Sequence, residues 1–285
     1  MLKLSIVTPS YNQGEFIEQC LLSVKRQTYP AVEHIVIDGG STDDTLEILK
    51  RYSSQPGWEH LKWISEPDRG QSDALNKGFR AAIGDIVGWL NSDDRYRPGC
   101  FEYTAEAFCV NRQADIIYGD YTWIDQDGRL LQVRREIEFS RFILFYHRVL
   151  YIHTTSTFFR RRIFDEGNFI APEFQYAMDY EFFLRLANKQ YNFLHVPKLL
   201  ADFRWHESSK SASSAAKQLE ERDQIIGAYA PGLQRLPGDH LRDLALIGLR
   251  ACAGGLRYME KLFRGYYWTQ WALEKGFSDD IQRTP

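Results

Sequence analysis

The chain has 285 residues, 44% hydrophobic and 26% charged, with 35 Lys and Arg against 38 Asp and Glu for a formal net charge of −3. That suffices for one large α/β domain with a tail and a substantial core, and it excludes the disordered and collagenous classes. The near-neutral charge and a pI near 6.2 give no basic face of the kind nucleic-acid binders carry, so no nucleic-acid partner is expected and any phosphate recognition must be local.

Cys20, Cys100, Cys109 and Cys252 lack CxxC spacing, so they predict buried thiols in a reducing compartment and neither a zinc site nor a disulfide framework. Met1-Leu2-Lys3-Leu4-Ser5 enters a strand-like run at once, without the sections of a signal peptide. No apolar stretch approaches the roughly 20 residues that span a bilayer. A cytoplasmic location is expected, with any contact at the inner face of a membrane peripheral.

Residues 4–8 form an apolar, β-branched run that stops at Pro9-Ser10-Tyr11-Asn12-Gln13-Gly14, a strand ending in a loop. Ile17, Cys20, Leu21 and Val24 recur at helical spacing, and residues 34–37 predict a second strand ending at Asp38-Gly39-Gly40. Ser41-Thr42-Asp43-Asp44 suits the start of a helix carrying Leu46 and Leu49. Residues 61–64 predict a third strand, 72–82 a helix, and 86–90 a fourth strand running into Asn91-Ser92-Asp93-Asp94. Such alternation implies a parallel sheet with helices on both faces. Ligands of such sheets lie outside the carboxyl ends of the strands, where residues 8–12, Asp38 and 91–94 would converge.

Beyond Asp94 the alternation weakens. Residues 98–111 look helical, 116–118 and 156–159 extended, 121–134 a hairpin turning at Asp127-Gly128, and 179–187 helical with Phe182, Phe183 and Leu186 on one face. Ser and Ala crowd residues 208–214, a linker or loop. Residues 215–277 are mostly helical, with Leu249, Cys252, Leu256, Met259 and Phe263 in one apolar stripe. The mix of Arg250, Arg257, Lys261 and Arg264 with Tyr266, Tyr267, Trp268 and Trp271 suits a membrane interface; packing against the preceding domain, or against a second subunit in a homodimer, suits it equally.

Five constellations could carry chemistry. Asn91-Ser92-Asp93-Asp94 at a strand's carboxyl end offers oxygen ligands for a hard cation: Asp93 as the first choice of metal ligand, Asp94 beside it, Asn91 and Ser92 toward a ribose. Taken alone, the same residues fit a turn or a helix cap. Asp38 before two glycines can accept hydrogen bonds from a base or ribose, or simply make a turn. Glu66-Pro67-Asp68-Arg69-Gly70-Gln71-Ser72-Asp73-Ala74-Leu75-Asn76-Lys77-Gly78 offers Arg69 for a phosphate or base and Asp73 and Asn76 as hydrogen-bonding groups; a solvated helix start competes with that. Asp179, leading an apolar helix face, suits a general base whose pKa burial would raise, and equally an N-terminal cap; Glu181 points elsewhere. In Phe203-Arg204-Trp205-His206-Glu207-Ser208-Ser209-Lys210, His206 could complete a metal shell, and Arg204 and Lys210 could neutralise phosphate charge.

With Ser5-Ile6-Val7-Thr8-Pro9-Ser10-Tyr11-Asn12, Ile37-Asp38-Gly39-Gly40-Ser41-Thr42-Asp43, Asn91-Ser92-Asp93-Asp94 and Met178-Asp179-Tyr180-Glu181 in this order, residues 1–207 resemble glycosyltransferase family 2. The resemblance implies a GT-A fold with a mostly parallel sheet, a nucleotide-sugar donor, manganese or magnesium, and inversion at the anomeric carbon. It implies that Thr8, Pro9 and Tyr11 border the nucleotide, that Asp38 binds the base, that residues 91–94 occupy the Asp-x-Asp metal motif and that Asp179 is the base. The motif often begins with Asp where this chain has Asn91, which leaves Asp93 to carry the metal; Met178 stands where the family has Glu, which spares the base. On this footing residues 1–94 are the nucleotide-sugar-binding half, 95–207 the acceptor-binding and catalytic half, and 208–285 a helical extension. UDP is the family's commonest donor nucleotide, and a glycan or lipid-linked saccharide in cell-surface polysaccharide synthesis is the implied acceptor.

Two other functions fit parts of the pattern. A sugar nucleotidyltransferase generally opens with a glycine-rich, basic phosphate loop, whereas residues 9–14 contain no Lys or Arg. A non-catalytic nucleotide-sugar-binding module would have no use for Asp38, Asp93 and Asp179 together.

Overall fold

A computed structural model describes residues 1–147, 149–206, 215–229, 237–268 and 270. Strands β1 (Leu4–Ser10), β2 (Val32–Asp38), β3 (Leu61–Ser65) and β4 (Ile86–Trp89) alternate with helices α1 (Ile17–Lys25), α2 (Thr45–Ser53) and α3 (Gln71–Ala81). Then follow β5 (Arg95–Tyr96), α4 (Cys100–Val110), β6 (Ile116–Ile124), β7 (Leu130–Arg134), α5 (Arg141–Tyr146), β8 (Thr157–Arg160), α6 (Arg162–Asp165), α7 (Met178–Asn188) and β9 (Phe193–Arg204). Two further helices, α8 (Ala215–Tyr229) and α9 (Asp239–Phe263), follow.

The sheet runs β3-β2-β1-β4-β8-β6-β9-β5, with β7 on β6. Its first four strands are parallel, as the alternation predicts. Beyond β4, β8 is antiparallel to both neighbours and β9 returns parallel to β6. Because β2 and β3 lie on one side of β1 and β4 on the other, the order reverses at β1, and the loops after β1 and β4 part there to leave a crevice.

β1 is buried throughout, and its alternating side chains feed two cores. Leu4 and Ile6 join Cys20, Val24, Phe101 and Phe108 of α1 and α4 on one face. Val7 joins Leu75 and Phe79 of α3 on the other, where Phe159 of β8 meets Phe182 and Phe183 of α7. Close contact between α3 and β1 depends on Gly78: a Cβ there would lie 2.2 Å from Val7 Cγ1.

The twelve-residue β9 goes unpredicted because Pro197 interrupts its apolar run. The structure accommodates that residue in a bulge, the pairing with β6 jumping from Gly119↔Val196 to Asp120↔Leu199. The hairpin of β6 and β7 turns at Gly128, which has φ +85°. Of the four thiols expected to be buried, Cys20 and Cys100 are, whereas Cys109 and Cys252 are exposed.

No helix among the described residues is long and apolar enough to cross a membrane. Arg257 and Lys261 of α9 face the body, pairing with buried Glu136 at 2.7 and 3.2 Å, and Arg250 pairs with Asp223 of α8. Arg264 pairs with Glu138 and Glu260. Trp271 lies outside the described residues.

Candidate active site

The carboxyl ends of β1, β2 and β3 are level, Ser10 pairing with Asp38 and Asp38 with Ser65, so three loops start from one edge. The loop after β1 is locked to the loop after β2: the Asn12 amide N–H donates to Ser41 Oγ, and Asn12 Oδ1 accepts from the Thr42 N–H, at 2.8 and 2.9 Å. Asn12 adopts φ +51°, a conformation Asn tolerates because its short polar side chain bonds locally. Tyr11, beside it, stands exposed over the crevice.

That crevice is a cleft of about 660 Å³ whose lining includes Tyr11, Gly39, Asp68, Asn91, Asp93, Asp179 and His206. It lies within the size range of small-ligand sites. Pro9 and Ser92 also line it.

After β4, Asn91 Oδ1 accepts from Trp89 Nε1 and Gln71 Nε2 at 2.9 and 3.0 Å, which fixes the turn. Asp93 then faces the cleft, and its Oδ2 lies 3.0 Å from Nε2 of His206, just past the end of β9. Its carbonyl accepts from Nε of Arg204, whose remaining donors go to the carbonyls of Asp125 and Gln126 and to Gln19 Oε1. Arg204 is therefore buried and committed to holding loops, and burial lowers its pKa. It is absent from the cleft lining, where a phosphate-neutralising role would place it. Lys210 lies outside the described residues.

Asp179 is the second residue of α7 and half-buried. Burial raises its pKa above the ordinary carboxylate value, and the Arg222 guanidinium of α8 pulls the other way.

Several expected donor contacts are directed elsewhere. Asp38 is fully buried; its Oδ2 accepts from the Gly40 and Ser41 N–H groups and Ser65 Oγ, and its Oδ1 from Ser41 Oγ. It anchors the loop from inside, and Gly39 lines the cleft in its place, a Cβ there falling 2.7 Å from Asp68 Oδ2. Thr8 is buried, with Oγ1 2.9 Å from Nε2 of His34. Asn76 gives both ends of its amide to the backbone of Ile170 at 2.8 and 2.9 Å. Arg69 is 90% exposed and pairs with Asp73, which pairs with Lys77; none of the three lines the cleft.

Asp94, expected beside the metal, turns inward. It is fully buried, accepting from Thr155 Oγ1 at 2.6 Å and from the Arg204 N–H at 2.9 Å. Two acidic neighbours thus divide the work, one facing the cleft and one pinning its loop to β9.

Asp68, Gln71, His153, Tyr176 and Gln218 also line the cleft and were not singled out. Asp68 and Gln71 fall within the quoted polar run. His153 carries no local pattern: burial holds its pKa down to about 3, and its ring packs 4.6 Å from Tyr121 and 4.5 Å from Phe203.

Residues 5–167 match the model of glycosyl transferase family 2. An uncharacterised glycosyltransferase of Mycobacterium tuberculosis is 33% identical over 186 residues, 65% of this chain and 68% of that protein. A chondroitin synthase of Escherichia coli is 27% identical over 231 residues, 78% of this chain but 32% of that protein. The chain spans less than half the length of several such relatives, 40% in the case of a Nostoc glycosyltransferase. Among solved structures, S. aureus TarS in complex with UDP-GlcNAc superposes with a TM-score of 0.64 at 20% identity, covering 87% of this chain and 71% of that one. The mannosyltransferase PcManGT of Pyrobaculum calidifontis, in complex with GDP-Man and Mn2+, gives 0.59 at 17%, covering 99% and 87%. The fold is of the GT-A type that these structures share. With more than half its length matched by the family model, this chain belongs to glycosyl transferase family 2.

Proposed function

We propose that this chain transfers a sugar from a nucleotide diphosphate to an acceptor hydroxyl with inversion, Asp179 serving as general base. The observation that carries the reading is that Tyr11, Asp93, His206 and Asp179, contributed by four separate parts of the chain, line one cleft at the switch point of the sheet. The donor is a UDP-sugar by preference, in keeping with the UDP-GlcNAc complex of TarS. A growing polysaccharide or lipid-linked glycan is the acceptor, in keeping with the chondroitin synthase.

A divalent cation fits the residues present. Asp68, Asp93 and Asp179 make the described lining acidic, so a pyrophosphate brought there calls for a counter-charge. The described residues contain no group of three or more His, Cys, Asp and Glu that could hold a metal, so Asp93 and His206 would hold it, with substrate phosphates and water. The imidazole nitrogen leans the pair toward manganese over magnesium, the ion in the PcManGT complex. Once bound, the cation supplies positive charge against the diphosphate oxygens.

The chain's own groups do the rest. Tyr11 and Gly39 border the donor side of the cleft, and Ser92 lines it where a ribose would lie, on the turn that Asn91 holds. Asp179 removes the proton from the acceptor hydroxyl as that oxygen bonds to the anomeric carbon. The carbon–oxygen bond to the diphosphate breaks on the opposite face, and the electron pair leaves with the diphosphate. A raised pKa suits this carboxylate to the task, since a base works best when its pKa nears the working pH.

The test is to incubate the protein with a panel of nucleotide sugars and manganese, identify the released nucleotide by mass spectrometry, and repeat with Asp179→Asn. Release of a nucleoside diphosphate by the wild type but not the variant supports the reading; equal release by both removes Asp179 from the mechanism.

A further inference from the structure

The three backbone amides just before α7 are held by a side chain from α8, well beyond residue 167 where the family match ends. Glu221 Oε1 accepts from the Gln175 N–H at 3.0 Å, and its Oε2 accepts from the Tyr176 and Ala177 N–H groups at 2.8 and 2.7 Å. Amides at a helix start lack intrahelical acceptors, and negative charge there complements the helix dipole. One turn earlier on α8, Gln218 Nε2 donates to the Tyr176 carbonyl at 3.1 Å. Gln175, Tyr176, Gln218 and Asp179 all line the cleft.

α8 is itself fixed. Ile225 and Ile226 are buried in the main core, Tyr229 Oη donates to Glu181 Oε1 at 2.6 Å, and the Arg222 guanidinium sits 5.2 Å from the Tyr180 ring. The helix thus grips α7 and its leading loop at several points around Asp179.

We infer that α8 is a working part of the active site, with Glu221 the positioning residue that sets Asp179 against the acceptor and Gln218 part of the acceptor wall. This rests on Asp179 being the base. Burial raises the pKa of Asp179 most, and two charges of α8 bear on it as well, Arg222 pulling it down and Glu221, more weakly, pushing it up. Among the described residues, a chain cut after β9 would lose both this clamp and that wall.

Glu221→Gln tests it at constant side-chain size, because the new amide group turns a donor toward amides that need an acceptor. Acceptor-dependent kcat should fall on the order of 10- to 100-fold, since small misplacements of a catalytic group cost that much. Donor Kd should stay within about twofold of wild type, a separation expected when only a transition-state contact is lost. The acid limb of the kcat profile should move to lower pH, and hydrogen exchange at the amides of residues 175–177 should quicken. Glu221→Asp, which keeps the charge but shortens the reach, should lie between the two; it carries the test if Glu221→Gln is too unstable to assay. Asp179→Asn is the control: inactivity there, with wild-type kcat, pH profile and exchange in the Glu221 variants, overturns this inference alone. Full activity of Asp179→Asn overturns the base and this inference with it.

Discussion

Nε2 of His206 and Oδ2 of Asp93 lie 3.0 Å apart, joining the turn after β4 to the end of β9 across 113 residues. Both line the cleft, and on the proposed reading they would be the protein's two ligands to a cation. Manganese should therefore raise the melting temperature of the wild type by mass action, and of Asp93→Asn far less. His206→Gln should raise the manganese concentration for half-maximal activity by about tenfold or more, equivalent to about 1.4 kcal/mol. Chelation should abolish turnover of the wild type, with manganese restoring it. Identical manganese-induced shifts in wild type and Asp93→Asn would exclude the site.

Asp179→Asn should fold, bind donor and lose about 100- to 10,000-fold in transfer rate. It should also be more stable than wild type near neutral pH. The fold raises the pKa of Asp179, so between the unfolded and folded values the native state binds more protons, and stability falls as pH rises through that window. Above it the full cost of the buried charge persists, and Asn removes it. Thermal melts at pH 7 check the sign: an equal or lower midpoint for Asp179→Asn contradicts it.

Asp93 and Asp94 should separate in their effects. Asp94→Ala orphans Thr155 Oγ1 and the Arg204 N–H, each worth about 1–3 kcal/mol when left buried and unpaired. Urea denaturation should show that loss, while Asp93→Ala, nearer solvent, should change the midpoint little and remove activity. A reversal of the two phenotypes would refute the division of labour.

Gly78→Ala should destabilise by about 1–3 kcal/mol through overpacking, since the added Cβ meets Val7 Cγ1 at 2.2 Å. Val7→Ala alone should also destabilise, yet added to Gly78→Ala it should restore part of the loss. Strictly additive losses would show that α3 moves away from the sheet instead.

The four parallel strands and three helices of residues 4–89 were legible because each has its own period and its own stops, such as the Gly39-Gly40 pair after β2, although β1 runs past its expected end, through Pro9 to Ser10. The cleft-facing places of Tyr11, Asp93 and Asp179 could be proposed because strand ends and a helix start are local features, whereas His206 stood out by residue type alone. β9 was hidden by Pro197, which only a bulge against β6 makes tolerable.

Residue identity and spacing alone thus determined the strand–helix alternation, the edge of the sheet that holds the cleft, and which side chains could bear chemistry there. Tertiary structure decided which of them face the cleft: it turned Asp94, Asn76 and Arg204 inward onto hydrogen-bond partners tens to more than a hundred residues away, and Asp38 inward onto its own loop and Ser65. It also brought Glu221 to the loop before Asp179. The physical reason is that a carboxylate or guanidinium looks the same in sequence whether it faces solvent or buried amides. Its partner is chosen by packing of distant segments, and burial makes an unpaired alternative too costly.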